Sequence, residues 1–547
     1  NEFHQTFLKM KRRDFIKNTA PVAILPFFTN GFSLSAYGES NFINDFFGAQ
    51  VATDKVLVII QLVGGNDGLN TVLPIDQYPN LTAARPNIFI PEVSALALNG
   101  TSATALHPSL TGLQSLYNSG KLAIVQNVGY PNPDFSHFRA TDIWNTASNS
   151  NEVLSSGWLG RYLENEFPNF PQGYPNATMP DPLAIEIGSS FSTLFQGFSQ
   201  NLAQTVPLPD TNNSLTLTQL ANASTDPAPS NHAGDELTFV RSMMQQTNQY
   251  AATIQNAWTM GQNTYPYPPP PSNASGYRAS YLGEQLRTVA RLIKGGLKTR
   301  AYMVNMGSFD THSSQVDAND STLGEHALLL KELSDAIFAF QEDLRLLSLE
   351  DRVIGMTYSE FGRRIKANAS NGTDHGAAAP MFIFGSKVNG GIKGANPVIP
   401  TNASTNDNVP MQYDFRAVYT TILQNWFCLP QTDANNVLLH THNTLPLLNS
   451  VCAVSTADSK KAGDAYIRCF PNPSSTLATL EFEVVGGDIV LELYNPVGQR
   501  IRTLLDSNMD KGIHQLQLNI SDLPVGNYYY RYQSGGIVQT KAMAIVR

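Results

Sequence analysis

Seven side chains in this sequence, Asp67, Asp310, His312, His326, Glu360, Asp374 and His375, are carboxylates and imidazoles, the ligands that borderline and hard divalent cations prefer. Asp310 and His312 are two positions apart, so in extended chain both side chains point to one side. Asp374 and His375 are adjacent, and in a loop they can approach an ion from different directions. A single Asp or His is most often a turn former or a satisfied core residue. Three such clusters, each at the end of an apolar run, point instead to a divalent metal site.

The elements that must position these residues are legible as apolar runs ending in polar clusters. Val56 to Val63 is a continuous, β-branched run stopped by Gly64-Gly65-Asn66-Asp67-Gly68, the pattern of a central parallel strand buried on both faces. A helix over Leu110–Ser119, a strand over Leu122–Gln126 and a helix over His137–Thr146 follow, giving the alternation of an α/β fold. Residues 165–235, rich in Pro, Asn, Ser and Thr, read as an irregular surface excursion. Helices are predicted over Glu236–Trp258, Tyr281–Lys294 and Leu328–Leu347. Arg300–Asn305 leads into Asp310 and His312, Val353–Tyr358 leads into Ser359-Glu360-Phe361-Gly362-Arg363-Arg364, and Asp374-His375-Gly376 stands before a strand at Met381–Phe384. Ligands of open parallel sheets sit at the carboxyl ends of the strands, where these clusters fall. After a small, polar linker at 453–466, residues 467–547 carry short alternating strands such as Ile489–Tyr494 and Gln515–Asn519, the mark of a small all-β sandwich.

Composition narrows the function classes. The chain has 547 residues, 42% hydrophobic and 14% charged, with a net charge of −9, which fits a folded, loop-rich protein and offers no general basic surface for nucleic acid. No apolar run is long enough for a transmembrane helix. Three cysteines, Cys428, Cys452 and Cys469, allow at most one bridge and lack zinc-ribbon spacing, so free thiols are expected. No Walker-type Gly-Lys-Ser/Thr loop and no Gly-x-Ser-x-Gly elbow is present, which disfavours nucleotide-driven and ordinary serine-esterase chemistry.

Three resemblances add to this reading. Lys11-Arg12-Arg13-Asp14-Phe15, followed by a short apolar stretch and small residues near Ser33–Ala36, resembles a Tat export signal within a leader at 1–45. Phe470-Pro-Asn-Pro473, Leu493-Tyr-Asn-Pro-Val-Gly-Gln499 and Leu523-Pro-Val-Gly-Asn-Tyr528 resemble the type A C-terminal sorting domain of the type nine secretion system of Bacteroidota. Between them, over the domain at 46–452, Gly64-Gly-Asn-Asp-Gly-Leu-Asn-Thr71, Ser136-His-Phe138, Gly157-Trp-Leu-Gly-Arg161, Phe309-Asp-Thr-His312, Ser359-Glu-Phe-Gly-Arg-Arg364 and Gly372-Thr-Asp-His-Gly376 resemble the domain of unknown function 1501 family.

That family looks like a branch of the alkaline phosphatase and sulfatase superfamily. The resemblance implies a mainly parallel sheet flanked by helices, one or two divalent ions (Zn, Mn, Mg or Ca), and a Ser, Thr or modified Cys nucleophile. It places Asp67, Asp374 and His375 on one ion and Asp310 with His312 or His326 on the other. Ser136 is the nucleophile candidate, since it precedes a predicted helix whose N–H groups could bind an oxyanion; a helix N-cap is the other reading. His137 would stabilise a leaving group or merely pack. Asn66, Arg139, Arg161, Glu360 and Arg363, with Arg364, would contact an anionic ester, though solvated arginines are common. The superfamily usually supplies a further histidine after its Asp-His pair, and here His440 and His442 follow. The implied protein is a secreted or cell-surface hydrolase of phosphate or sulfate esters, acting on a substrate such as a polysaccharide, exported by the Tat translocon and the type nine machinery. The alternative is a noncatalytic surface protein of the same fold that binds glycans or a partner protein.

Overall fold

A computed structural model describes residues 54–545 apart from 168–169, 172, 189–190, 199, 211, 218–225, 227–231, 270–280, 450–451, 453–466, 471–473, 485–486, 496–498 and 535–536. The expected export signal and linker lie outside the described residues.

The centre is one nine-stranded sheet. Its strands are β1 (Val56–Leu62), β2 (Leu122–Gly129), β3 (Ala184–Ile187), β4 (Ala203–Val206), β5 (Ala301–Met306), β6 (Val353–Tyr358), β7 (Ala379–Phe384), β8 (Gly391–Lys393) and β9 (Tyr413–Asp414). They lie in the order β8-β2-β7-β6-β1-β5-β3-β4, with β9 beside β2. β1 is central and pairs in parallel with β5 and β6, as its continuous apolar run predicts. All seven of its residues are buried. The strand period of two divides them: Leu57 and Ile59 enter one core cluster, and Val56, Val58, Ile60 and Leu62 enter the other.

Helices cover both faces. On one, α1 (Thr111–Asn118), α5 (Leu282–Lys294) and α6 (Glu325–Leu346) bury Leu113, Leu286 and Leu333. On the other, α2 (His137–Thr146) and α3 (Trp158–Glu166) bury Trp144 and Trp158 with the helical segment Phe415–Trp426, and Trp158 stacks on Tyr419 at 4.3 Å. A long helix, α4 (His232–Met260), buries Ile254 and Trp258 against the first of these cores.

Two expectations are corrected here. Residues 165–235 are not simply an irregular excursion: β3 and β4 extend the sheet in parallel beyond β5. Their runs are only four residues long, too short to stand out from the polar sequence around them. The expected free thiols give way to a Cys428–Cys452 disulfide, which leaves Cys469 free. The helical segment after β9 turns back, so residues 24 apart in sequence come within 5.5 Å between Cα atoms.

One strand runs against the others. β7 is antiparallel to both β2 and β6. The segment entering β7 therefore lies at the same sheet edge as the segments leaving β1, β2, β5 and β6. That reversal brings Asp374-His375 to the residues that follow the parallel strands. Gly355 lets β7 approach β6, because a Cβ there would stand 2.0 Å from the Phe384 ring.

Residues 467–545 form two antiparallel sheets, one of three strands and one of four, that share a core including Leu480, Phe482, Leu491, Tyr530 and Met543. No helix among the described residues is long and apolar enough to cross a membrane.

Candidate metal centre

Four loops meet at the sheet edge where β1, β2, β5 and β6 end and β7 begins, the loop that leaves β6 being the one that enters β7. Gly64 lets the loop after β1 close on the loop after β5: with φ +124°, it sits where a Cβ would be 2.3 Å from the backbone nitrogen of Asp310. Arg363, buried beneath them, ties these loops together. Its guanidinium donates to the carbonyls of Gly64, Gly65, Phe309 and Thr373 and to Asp310 Oδ1 at 2.7 Å.

Asp310 is the hub of the site. Three imidazole Nε2 atoms face its carboxylate, at 3.5 Å for His137, 3.1 Å for His312 and 3.2 Å for His375. Each ring is held from behind at Nδ1: His137 by Glu360 Oε1 at 2.8 Å, His375 by the Phe135 carbonyl at 2.8 Å, and His312 by Asp374 Oδ1 at 3.1 Å. A carboxylate or carbonyl can only accept, so each Nδ1 donates to the group behind it, and in a neutral ring Nε2 is then the nitrogen that carries the lone pair a cation would take. Metal-binding histidines are oriented in this way. His312 Nε2 and His375 Nε2 stand 2.9 Å apart, a separation that one shared proton or a cation between them would hold.

The donor set fits a divalent cation. Ligand atoms of His137, Asp310 and His375 all lie within 4.8 Å of one another. Donors at about 2.0–2.2 Å from a shared ion stand roughly 3.0–3.5 Å from each other, which matches the separations around Asp310. Partial burial pushes the Asp310 carboxyl up, but the hydrogen bond and charge of Arg363, with His312 and His375, outweigh it and hold the group below the usual carboxylate range. Asp374 is likewise held low, because hydrogen bonds from Asn368 and His312 exceed its own burial. Burial and the nearby Arg363 push His375 down despite its bond to Phe135, so it is neutral at pH 7. Two ionised carboxylates and an imidazole whose protonated form is disfavoured, that of His375, suit a cation.

Other residues singled out from the sequence fall elsewhere. Asp67 is wholly buried, with Arg85 Nη1 at 2.7 Å and Gln315 Nε2 at 2.6 Å on its carboxylate. Burial alone would raise its pKa, and the charges and hydrogen bonds of Arg85, His326 and Gln315 bring it below the ordinary value. Its lone pairs thus already have partners, and it supports the turn after β1 instead of joining the imidazoles. His326 is buried one layer down, donating from Nε2 to Asn66 Oδ1 at 3.0 Å, and burial lowers its pKa to about 4. Asn66 is buried beside it, with its backbone N–H on Ser359 Oγ.

Glu360, expected to face substrate, is wholly buried and orients His137 while accepting the Gly64 N–H at 2.8 Å. Arg161 is buried among the carbonyls of Thr146, Ser156 and Val437, and burial lowers its pKa to about 9. Arg139 binds Asp142 and the carbonyls of Asn149, Ser150 and Glu152, and Arg364 binds those of His375 and Thr405. His440 pairs with Glu152 at 3.4 Å.

Ser136 is exposed at the N-cap of α2, where its side chain makes no cap bond. Its neighbours Phe135 and His137 both touch the cluster. His137 itself, read from the sequence as a leaving-group or packing residue, is one of the three imidazoles. The available sequence signal was its place at the start of a helix that follows an apolar strand, which puts it at the same sheet edge as Asp310.

The sequence matches the family described as "Protein of unknown function (DUF1501)" over residues 54–438, seven tenths of the chain. The chain belongs to the DUF1501 family. Residues 468–546 match the secretion system C-terminal sorting domain, which indicates export to the cell surface or extracellular space. Curated proteins give no significant match.

Similar solved structures include a protein in the alkaline phosphatase superfamily from Vibrio parahaemolyticus, 10% identical at a TM-score of 0.31, covering 88% of this chain and 81% of that one. Another is a Bacteroides thetaiotaomicron protein described with the metabolism of multiple glycosaminoglycans, 9% identical at a TM-score of 0.31, covering 86% of this chain and 90% of that one. Likenesses this distant assign no residue roles, so the roles in this DUF1501 chain rest on its own geometry.

Proposed function

We propose that this DUF1501 protein is an exported metal-dependent hydrolase of phosphate or sulfate esters. The observation that carries the reading is the convergence of three imidazole Nε2 atoms on the Asp310 carboxylate, each ring fixed through Nδ1. His137, Asp310 and His375 would hold a divalent ion, Zn suiting imidazole-rich donors better than Mg, Mn or Ca, with His312 and Asp374 at its side or on a second ion. Such an ion supplies Lewis-acid polarisation of the ester and activates an attacking oxygen.

The chain's own groups supply the rest. Ser136 offers a hydroxyl free of capping at the start of a ten-residue helix, whose N–H groups and dipole favour an oxyanion. Arg363 keeps Asp310 ionised and aimed. With Arg139 and Arg161 committed to backbone carbonyls, recognition of the anionic ester falls to the ion and the α2 N-terminus.

The test is bound metal in the purified protein, with turnover of 4-nitrophenyl phosphate and 4-nitrophenyl sulfate before and after chelation. Turnover that disappears on chelation and returns with Zn supports the reading. Metal-free protein with unaltered turnover overturns it. Tight glycan binding with no turnover of either ester replaces it with the noncatalytic surface protein.

A further inference from the structure

We propose that a groove beside the imidazole cluster is a subsite for a neutral, apolar organic group of the ligand; on the hydrolase reading above, this group is the organic part of the ester. The groove encloses about 390 Å³. Two of its walls belong to the loops that carry the candidate metal ligands. Pro131 and Pro133 stand just before Asp134–His137, and Ala377 follows His375-Gly376. The third wall is Val409, Pro410 and Met411. A group bound there is therefore continuous along the chain with the atoms around Asp310.

The chemistry of the lining selects the occupant. Among the described residues, no charged side chain borders the groove. A densely sulfated or phosphorylated glycan would set further anions against proline and methionine carbon with no cation to meet them, and an unpaired charge in such surroundings is strongly disfavoured. The one aromatic in the lining, Tyr130, is buried at 4% exposure, so no open ring offers a platform for a sugar face.

Proline and alanine lose little side-chain freedom when covered, and Met411, 38% exposed, can adapt its shape to an irregular apolar partner. The volume lies in the range of small-molecule sites, enough for a one- or two-ring group. Two polar side chains, Asn132 and Asn408, complete the lining, and Asn132 is exposed and free to turn towards water. Asn408 Oδ1 is buried without a hydrogen-bond partner among the described residues, while its Nδ2 donates to the Asn406 carbonyl at 3.2 Å.

The full chain, loaded with Zn, should be titrated with 2-naphthol by fluorescence. This probe has no ester, so its binding does not depend on catalysis. Saturable binding, weakened by about 10-fold or more in both Met411→Glu and Pro131→Glu, is the expected result, since a carboxylate set against the ring costs more than roughly 1.4 kcal/mol. In turnover assays the KM for 2-naphthyl phosphate or sulfate should fall well below that for the methyl ester. Absence of 2-naphthol binding, or binding indifferent to both substitutions, overturns the subsite even if esters are hydrolysed. Binding of 2-naphthol that both substitutions weaken, with no ester turned over, upholds the subsite and rejects the hydrolase reading.

Discussion

Asp310 concentrates the chemistry because it lies within 3.5 Å of three imidazole nitrogens while the buried Arg363 donates to Oδ1, the oxygen that also faces His312 and His375. Asp310→Asn keeps the shape and removes the charge, so bound metal should be lost with little change in melting temperature, read by elemental analysis and thermal denaturation. Glu360→Gln acts one step back, through the orientation of His137. Such outer partners are worth about 10–100-fold in metal affinity or activity, and a titration with Zn should show a loss of that size.

Two further substitutions separate holding the ion from reacting. Asp374→Asn should lower metal occupancy by loosening His312. Ser136→Ala should leave metal in place while ester turnover falls by orders of magnitude. Full turnover in Ser136→Ala would remove the serine from the reaction.

Beneath the cluster, the turn after β1 is propped by a buried layer that the sequence presents as part of the site. Asp67 and Arg85 are both fully buried partners, 2.7 Å apart. Arg85→Met leaves the carboxylate without its cation, and breaking a buried pair in this way costs about 3–5 kcal/mol, visible as a large drop in melting temperature.

The same layer sets the response to acid. Burial lowers the pKa of His326 to about 4 and that of His107 to about 3. A histidine whose folded pKa lies below its unfolded value binds protons more readily when unfolded. Its contribution is intact above about pH 6.5 and is lost as the pH falls towards the folded value. For His326 that loss is on the order of 3 kcal/mol. Denaturant titrations from pH 7 to 4 should show the decline, and His326→Gln should flatten it. An unchanged slope in that variant would show that His326 does not titrate between the folded and unfolded states as stated.

At the scale of the molecule, the sorting region carries its own core. Its core cluster draws only on residues from Ile467 onward, and the two clusters flanking the nine-stranded sheet end by Leu448. Removing residues 467–547 should therefore leave a protein that melts cooperatively but fails to reach the cell surface or medium, as surface proteolysis of cells expressing it would show. Normal display of the truncated chain would refute the sorting assignment. The Cys428–Cys452 disulfide suits export to an oxidising compartment. Closing its loop stabilises the fold by about 3 kcal/mol on the chain-entropy account, so Cys428→Ser combined with Cys452→Ser should lower the denaturation midpoint accordingly.

The sequence by itself determined the elements whose signals are local. The β-branched run of β1 announces a strand buried on both faces, the periodicity of 328–347 announces a helix, and the alternating strands of the C-terminal region announce an antiparallel sandwich. It also placed Asp310, His312, Asp374 and His375 at strand ends, because a polar cluster that interrupts an apolar run needs no long-range information to be seen. Tertiary structure decided which of the seven candidate carboxylates and imidazoles face one another. The reversal of β7 brings Asp374-His375 to the edge where β1, β2, β5 and β6 end, and the burial of Arg85 turns Asp67 from a candidate ligand into half of an ion pair. His137 and Glu360 are 223 positions apart, and only the folded sheet sets them at hydrogen-bond distance. Residue type fixes what a side chain can donate or accept, whereas its partner is whichever group the folded chain leaves beside it in a space closed to water.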